Sequence, residues 1–185
     1  MKENIERTRK VLENYRTQLL MELNSLDSFM ECSIETYDYI IDFAIKKDFE
    51  RVVDIGCAFG HQAELCNGRI RYIGINEDEV NFYQDNPETH RKNRKIKYEV
   101  GKYPYPCNNF KNDLAISNLA IGWQCYVNEE ECKKQFEALS KDFKASLLYL
   151  PMERAKFLNK YFKNIEVLIE NKGKYVSSGL YYCYN

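Results

Sequence analysis

Short apolar runs alternate along the chain with longer amphipathic or well-capped segments, a pattern that predicts strands separated by helices. The short runs predict seven strands, at residues 51–55, 70–75, 96–100, 114–117, 145–150, 165–170 and 175–184. The intervening segments predict helices at residues 61–66, 77–86, 128–139 and 151–162. Because longer connections separate the first five strands, we expect those strands to be parallel. The last two strands are joined by residues 171–174, which leave room only for a hairpin.

The first 48 residues are predicted to form a helical extension that precedes an α/β domain of residues 49–185. Apolar residues recur every seven positions between residues 4 and 27, at Ile5, Leu12, Leu19 and Leu26. Ser33 is a suitable cap for a second helix, which ends near residues 46–47. We expect the first helix to cover a binding cleft as a lid, to pack on the sheet, or to form a homodimer.

Composition narrows the classes of protein that fit this chain. Its 185 residues are 44% apolar and carry a net charge of -1, so neither nucleic acid nor an anionic membrane is expected as an obligatory partner. We see no apolar leader and no run long enough to span a membrane. The seven cysteines include no Cys-x-x-Cys pair, and His61 and His90 form no ligand cluster with them. We therefore expect a cytoplasmic protein with no structural metal site.

The segment with the clearest chemical meaning is residues 51–60, where an apolar strand leads to an acid and a glycine turn. Asp54 is followed by Gly56, Cys57, Ala58 and Gly60. Glycine lets a backbone approach a ligand closely, and open α/β sheets bind ligands at the carboxyl ends of their strands. A dinucleotide site requires Gly-x-Gly-x-x-Gly, whereas Ala58 replaces the middle glycine here. Asp54 would repel a phosphate but tolerate a cationic sulfonium and an amino group.

This segment and the seven-strand pattern with its terminal hairpin resemble the class I (Rossmann-like) S-adenosylmethionine (SAM)-dependent methyltransferases over residues 51–185. The resemblance implies a doubly wound, mostly parallel seven-stranded sheet with a terminal antiparallel hairpin, preceded by N-terminal helices. It also implies SAM as the cofactor, with the loop from Asp54 to Gly60 around its methionine part. The amides of Gly56, Cys57 and Ala58 would lie near the ligand, and Asp54 would hold the ammonium directly or through water.

The resemblance also assigns positions for the nucleoside part of the cofactor. At the end of the second strand, where the family has an acid for the ribose hydroxyls, this sequence has Asn76 followed by Glu77, and either is expected to contact the ribose. The family often uses Gly-Asp after the third strand for the adenine amino group, but here Lys102 follows Gly101 and cannot accept a hydrogen bond. The adenine is therefore expected to stack on Tyr103 or to use backbone groups.

After the fourth strand, the family's chain faces the transferring methyl group and orients the acceptor. Ser117 and Asn118 are the expected polar contacts there, and Trp123 is an expected wall of the site. No catalytic residue is assigned, because a sulfonium is a good leaving group and positioning with desolvation suffices for its reaction. The resemblance thus predicts methyl transfer from SAM to an O, N or S nucleophile.

A small or medium-sized acceptor is favoured over nucleic acid, because the net charge is near neutral and the signatures of base-modifying enzymes are missing. Two alternatives stay open. The departures at Ala58, Asn76 and Lys102 are compatible with a non-catalytic methyltransferase-like interaction module. The basic cluster at residues 90–97 would instead suit a nucleic-acid methyltransferase that contacts phosphates.

Overall fold

The computed structural model describes residues 36, 39–57, 61–66, 68–77, 95–104, 110–118, 120–122, 128–172 and 177–185. Strands within these ranges are β1 (Arg51–Ile55), β2 (Arg71–Asn76), β3 (Ile96–Val100), β4 (Leu114–Asn118), β5 (Ala145–Pro151), β6 (Asn164–Lys172) and β7 (Ser177–Tyr184). Helices within them are α1 (39–46), α2 (His61–Cys66), α3 (Glu129–Asp142) and α4 (Met152–Ala155), the last followed by a 3₁₀ turn (Leu158–Lys160).

The strands form a single seven-stranded sheet in the order β3-β2-β1-β4-β5-β7-β6. Strands β1 to β5 are mutually parallel where they pair, and β7 pairs antiparallel with both β5 and β6. The sequence prediction of a doubly wound, mostly parallel sheet closed by an antiparallel hairpin is confirmed. The strand order reverses between β1 and β4, and such a reversal is where open α/β sheets bind ligands.

The central strands are mostly apolar, because helices cover both faces of the sheet. Every residue of β4 and β5 is buried. One face packs against α1 and α2, whose Ile40, Ile41 and Leu65 join a core cluster with Tyr72 and Leu147. On the other face a second cluster packs α3 and the segment after α4 onto the sheet. Helix α1 therefore packs against the sheet, although the predicted domain boundary at residue 48 remains a prediction.

Helix α3 begins as the sequence predicts. The Asn128 side chain accepts a hydrogen bond of 2.9 Å from the Glu131 backbone N–H, which satisfies one of the free donors at the helix start. The first turn is acidic and Lys141 lies in the last turn, an arrangement that complements the helix dipole. The helix buries Phe136 and Leu139 against the sheet.

The predicted continuous helix over residues 151–162 is wrong in length. Pro151 ends β5, α4 has four residues, and the chain then tightens into the 3₁₀ turn. The backbone N–H of Phe157 donates to the Arg154 carbonyl, an i to i-3 bond, which marks this tightening. The tighter winding accompanies the burial of Phe157 and Leu158 in the second core cluster, so tertiary packing overrides the helical pattern.

Several predicted elements lie outside the described residues. These are the helix at residues 4–27, the Ser33 cap, the helix at 77–86 and most of the basic cluster at 90–97. Residues 95–97 of that cluster are described, and the Lys95 ammonium donates to the Gly68 carbonyl at 2.7 Å. In the described part of the chain, no helix combines the length and apolar character that crossing a membrane requires.

Candidate functional site

The turn after β1 can be made only with glycine at its first position. Gly56 has a φ of +75°, and a Cβ placed on it would lie 2.2 Å from the Cβ of Ala120. The backbone N–H groups of Gly56 and Cys57 both donate to the Ile75 carbonyl, at 2.9 and 3.2 Å. These two amides, predicted to lie near the ligand, therefore hold the turn against β2. Ala58 and Gly60 lie outside the described residues.

Asp54 is buried in β1, directly before this turn, with 4% of its surface exposed. The Tyr72 hydroxyl donates to its Oδ2 at 2.7 Å. Burial raises the pKa of Asp54 to about 7, although the Tyr72 hydrogen bond acts in the opposite direction. The carboxyl therefore titrates much nearer to neutral pH than a free aspartate, and a nearby cation would favour its charged form.

Tyr72 is a partner of Asp54 that sequence reasoning missed. Asp54 pairs with Gly74 across β1 and β2, and Tyr72 lies two residues before Gly74 on the same face of the sheet. This diagonal contact follows from the strand register, so a correct register would have predicted it. Asp54 was predicted to contact the ligand, and the structure gives it a protein partner as well.

Cys57 packs under the turn as a neutral thiol. It is 5% exposed, and a Cβ added to Gly74 would come within 2.7 Å of its sulfur. Burial raises the pKa of Cys57 well above its ordinary value, and the charge of Asp54 raises it further. A thiol in this state is suited to packing and not to nucleophilic attack.

The ends of β2 and β3 bring three of the predicted site residues together. The Gly101 N–H donates to the Asn76 carbonyl at 2.8 Å, which joins the two strand ends. The Lys102 ammonium lies 3.6 Å from Glu77 Oε1 and 3.3 Å from Glu131 Oε1. The hydrogen bond to Glu131 and the charge of Glu77 raise the pKa of Lys102. Glu77, which was predicted to bind the ribose hydroxyls, therefore also lies beside the Lys102 ammonium.

Tyr103 points into the core cluster on the face of the sheet that α3 covers. It is 4% exposed, its ring centroid lies 6.3 Å from that of Phe143, and its hydroxyl donates to Asp142 Oδ2 at 3.1 Å. The peptide bond between Tyr103 and Pro104 is cis. A ring this buried presents no open face for an adenine to stack on, which leaves the backbone groups of this segment as the predicted adenine contact.

Ser117 uses its hydroxyl within the protein. Its Oγ donates to the Ile55 carbonyl at 3.0 Å and accepts from the Ile121 N–H at 3.0 Å. These bonds join the end of β1 to the turn after β4. Ser117 therefore shapes the site, and its predicted direct contact with an acceptor would require it to give up one of these bonds.

Asn118 ends β4 on the face of the sheet that carries Asp54. It is 8% exposed, and its Nδ2 donates to the Thr36 hydroxyl at 3.3 Å. Its Oδ1 is buried and has no hydrogen-bond partner within the described residues. A buried amide oxygen without a donor is costly, so this atom is suited to receive an N–H or O–H from a ligand. Trp123 lies outside the described residues.

Solved structures that resemble this chain include SAM-dependent methyltransferases. One, from Clostridium acetobutylicum ATCC 824, is 11% identical with a TM-score of 0.66 and aligns over 94% of this chain and 98% of its own. The magnesium protoporphyrin IX methyltransferase of Synechocystis PCC 6803, solved with bound SAM, is 13% identical with a TM-score of 0.63 over 82% of this chain and 79% of its own. The chain therefore has the class I methyltransferase fold.

The chain is shorter than some of the proteins that share its fold. The bifunctional kinase-methyltransferase WbdD is 18% identical with a TM-score of 0.60, and 86% of this chain aligns with 40% of that protein. No family model matches the sequence, and no curated protein matches it. Similarity at this level concerns the fold, so activity and substrate rest on the site itself.

Proposed function

We propose that this chain is a SAM-dependent methyltransferase that binds SAM at the carboxyl ends of β1, β2 and β4. The observation that carries the proposal is Asp54, a buried carboxyl at the reversal of strand order, directly before the obligatory Gly56 turn. Solved proteins of this fold bind SAM or S-adenosylhomocysteine (SAH).

The residues at this edge fit a ligand that carries both positive charge and hydrogen-bond donors. Asp54 gains its charged form beside a cation, and SAM bears a sulfonium and an ammonium. Asn118 Oδ1, which has no hydrogen-bond partner among the described residues, can accept a donor from the ligand. Asn76 and Glu77, at the end of β2, offer oxygens to the ribose hydroxyls, with the Lys102 ammonium beside Glu77.

When bound, SAM supplies a methyl group that is electrophilic because it is attached to a sulfonium. The contribution of the protein is to bind, orient and exclude water. Ser117 and Gly56 fix the turns around the site through the bonds described above. Asn118 orients a ligand through its free amide oxygen, and no residue of the site is required as a general base.

The acceptor that we favour is a small or medium-sized molecule with an O, N or S nucleophile. The net charge of -1 provides no general attraction for nucleic acid. Two cations of the basic cluster, Lys95 and Lys97, are described, and Lys95 already donates to the Gly68 carbonyl. Both observations favour a small acceptor over a polyanion.

Methyl transfer can be tested by measuring SAH formation from SAM in the presence of pooled acceptors. The pools would contain hydroxyl, amine and thiol compounds separately, with RNA and DNA as two further pools. We expect SAH to form above the background rate with at least one small-molecule pool. Turnover with a nucleic-acid pool alone would overturn the acceptor class. Binding of SAM without turnover in any pool would favour a non-catalytic module.

A further inference from the structure

Gln62 is a buried amide whose two polar atoms both lack partners among the described residues. It lies in the first turn of α2 with 2% of its surface exposed. Neither its Oε1 nor its Nε2 has a hydrogen-bond partner in the described part of the chain. Exchanging the two amide atoms would not repair this, since donor and acceptor are both unpaired. Buried amides are nearly always hydrogen-bonded, so a ligand that offers both a donor and an acceptor would satisfy Gln62.

The position of Gln62 on α2 directs this amide toward the candidate site. Leu65 and Cys66, three and four residues later, lie in the core cluster beneath the helix. Gln62 therefore shares their core-facing side but lies one turn nearer the helix start. Helical side chains lean toward the N-terminus, and α2 starts just after β1 ends. The amide thus lies near the carboxyl end of β1.

Asn118 lies at the same edge and on the same side of the sheet. It follows Leu114 and Ile116 at alternate positions of β4, and both of these belong to the cluster that includes Leu65 and Cys66. Strand β4 pairs directly with β1. Two carboxamides with unpartnered atoms are therefore presented where adjacent strands β1 and β4 end.

We infer that Gln62 binds the amino-acid end of SAM. This end carries an α-carboxylate, which only accepts hydrogen bonds, and an α-ammonium, which only donates them. A carboxamide matches both groups, because Nε2 donates to the carboxylate and Oε1 accepts from the ammonium. Asn118 Oδ1 is a second acceptor for the ammonium. The inference rests on the proposed function, and it adds a residue that the glycine-turn pattern does not contain.

The test compares ligands with and without the amino-acid end. Wild type and Gln62→Met would be titrated with SAM, SAH and 5′-methylthioadenosine, which retains the nucleoside and the sulfur but lacks the amino acid. Methionine keeps the length of the side chain without its polar atoms. We expect Gln62→Met to weaken SAM and SAH by about tenfold or more, and methylthioadenosine by less than about twofold.

Gln135→Met is the matched control. Gln135 is another buried glutamine, but its Oε1 accepts from the Gly122 N–H at 3.3 Å, so it has a partner within the protein. We expect this control to lower the melting temperature while leaving the ratio of SAM to methylthioadenosine affinity unchanged. Gln62→Met should instead melt no lower than wild type, because it removes only unpaired polar atoms.

Each outcome decides the inference. Equal weakening of all three ligands by Gln62→Met, or no weakening, would overturn the role of Gln62 while leaving the proposed function standing. Failure of the wild type to bind any of the three would overturn the proposed function, and the inference with it. If Gln62→Met does not fold, Gln62→Leu removes both polar atoms with a shorter apolar side chain. It must then show the same selective loss of SAM and SAH, and its absence contradicts the inference.

Discussion

At the scale of single residues, the burial of Asp54 determines its protonation and therefore its ability to bind a cation. Its carboxyl is buried, it accepts one hydrogen bond from Tyr72, and its pKa is raised from 3.8 to about 7. A carboxyl that is permanently charged would need stronger compensation inside the protein. A carboxyl with a pKa near 7 can stay buried in its neutral form when no ligand is bound, and it ionises when a cation binds beside it.

The raised pKa of Asp54 predicts a pH dependence of stability. Between about pH 4 and about pH 7 the folded protein keeps a proton that the unfolded chain releases, so the free energy of unfolding falls as pH rises through this window. The contribution of Asp54 to this fall is at most roughly 4 kcal/mol. Urea unfolding of wild type and Asp54→Asn across the window would measure it. We expect the variant to lose this component, and superimposable pH profiles would contradict the assignment.

The residues that sequence reasoning identified and those it missed differ in a physical way. Asp54 and Gly56 belong to a local pattern of strand, acid and turn, so their positions could be predicted. Tyr72 and Gln62 depend on strand register and on the face of a six-residue helix, neither of which the sequence displays directly. The burial of Tyr103 was also missed, because its neighbour Phe143 lies 40 residues away in sequence.

At the scale of elements, α3 shows how local signals place a helix. Its start at residue 128 was predicted from the capping-box-like pair Asn128 and Glu131, and the structure shows the capping bond between them. Its end extends to Asp142, three residues past the predicted Leu139, because Lys141 and Asp142 continue the helical bonding. In contrast, burial and not helix propensity determines the structure of the segment after β5. The helix predicted there is replaced by the four-residue α4 and a separate 3₁₀ turn.

The capping bond of α3 predicts a measurable stability effect. Asn128→Ala removes the acceptor of the Glu131 N–H and should lower the free energy of unfolding by about 1 kcal/mol. Ser140→Ala, a change at a partly exposed position near the other end of the same helix, serves as the control, and we expect it to be neutral or slightly stabilising. Urea unfolding monitored by circular dichroism would compare them. Equal stability of Asn128→Ala and wild type would show that the cap contributes nothing.

At the scale of the whole molecule, the order of strands determines where chemistry is possible. The alternation of segments and the terminal hairpin predicted a doubly wound sheet, and the observed order confirms it. This topology places the ends of β1 and β4 side by side at the reversal of strand order, so residues far apart in sequence meet there. The identity of the methyl acceptor cannot be predicted from the topology, because the side chains that contact the acceptor differ among proteins of the same fold.

The most direct test of the account is a calorimetric titration of wild type and Asp54→Asn with SAM and SAH. The substitution keeps the shape of the side chain and an oxygen for the Tyr72 hydrogen bond, but it removes the charge. We predict that wild type binds both ligands in the micromolar range and that Asp54→Asn binds SAM at least about tenfold more weakly. A wild-type protein that unfolds cooperatively yet binds neither ligand, or a variant that binds SAM as tightly as wild type, would contradict it.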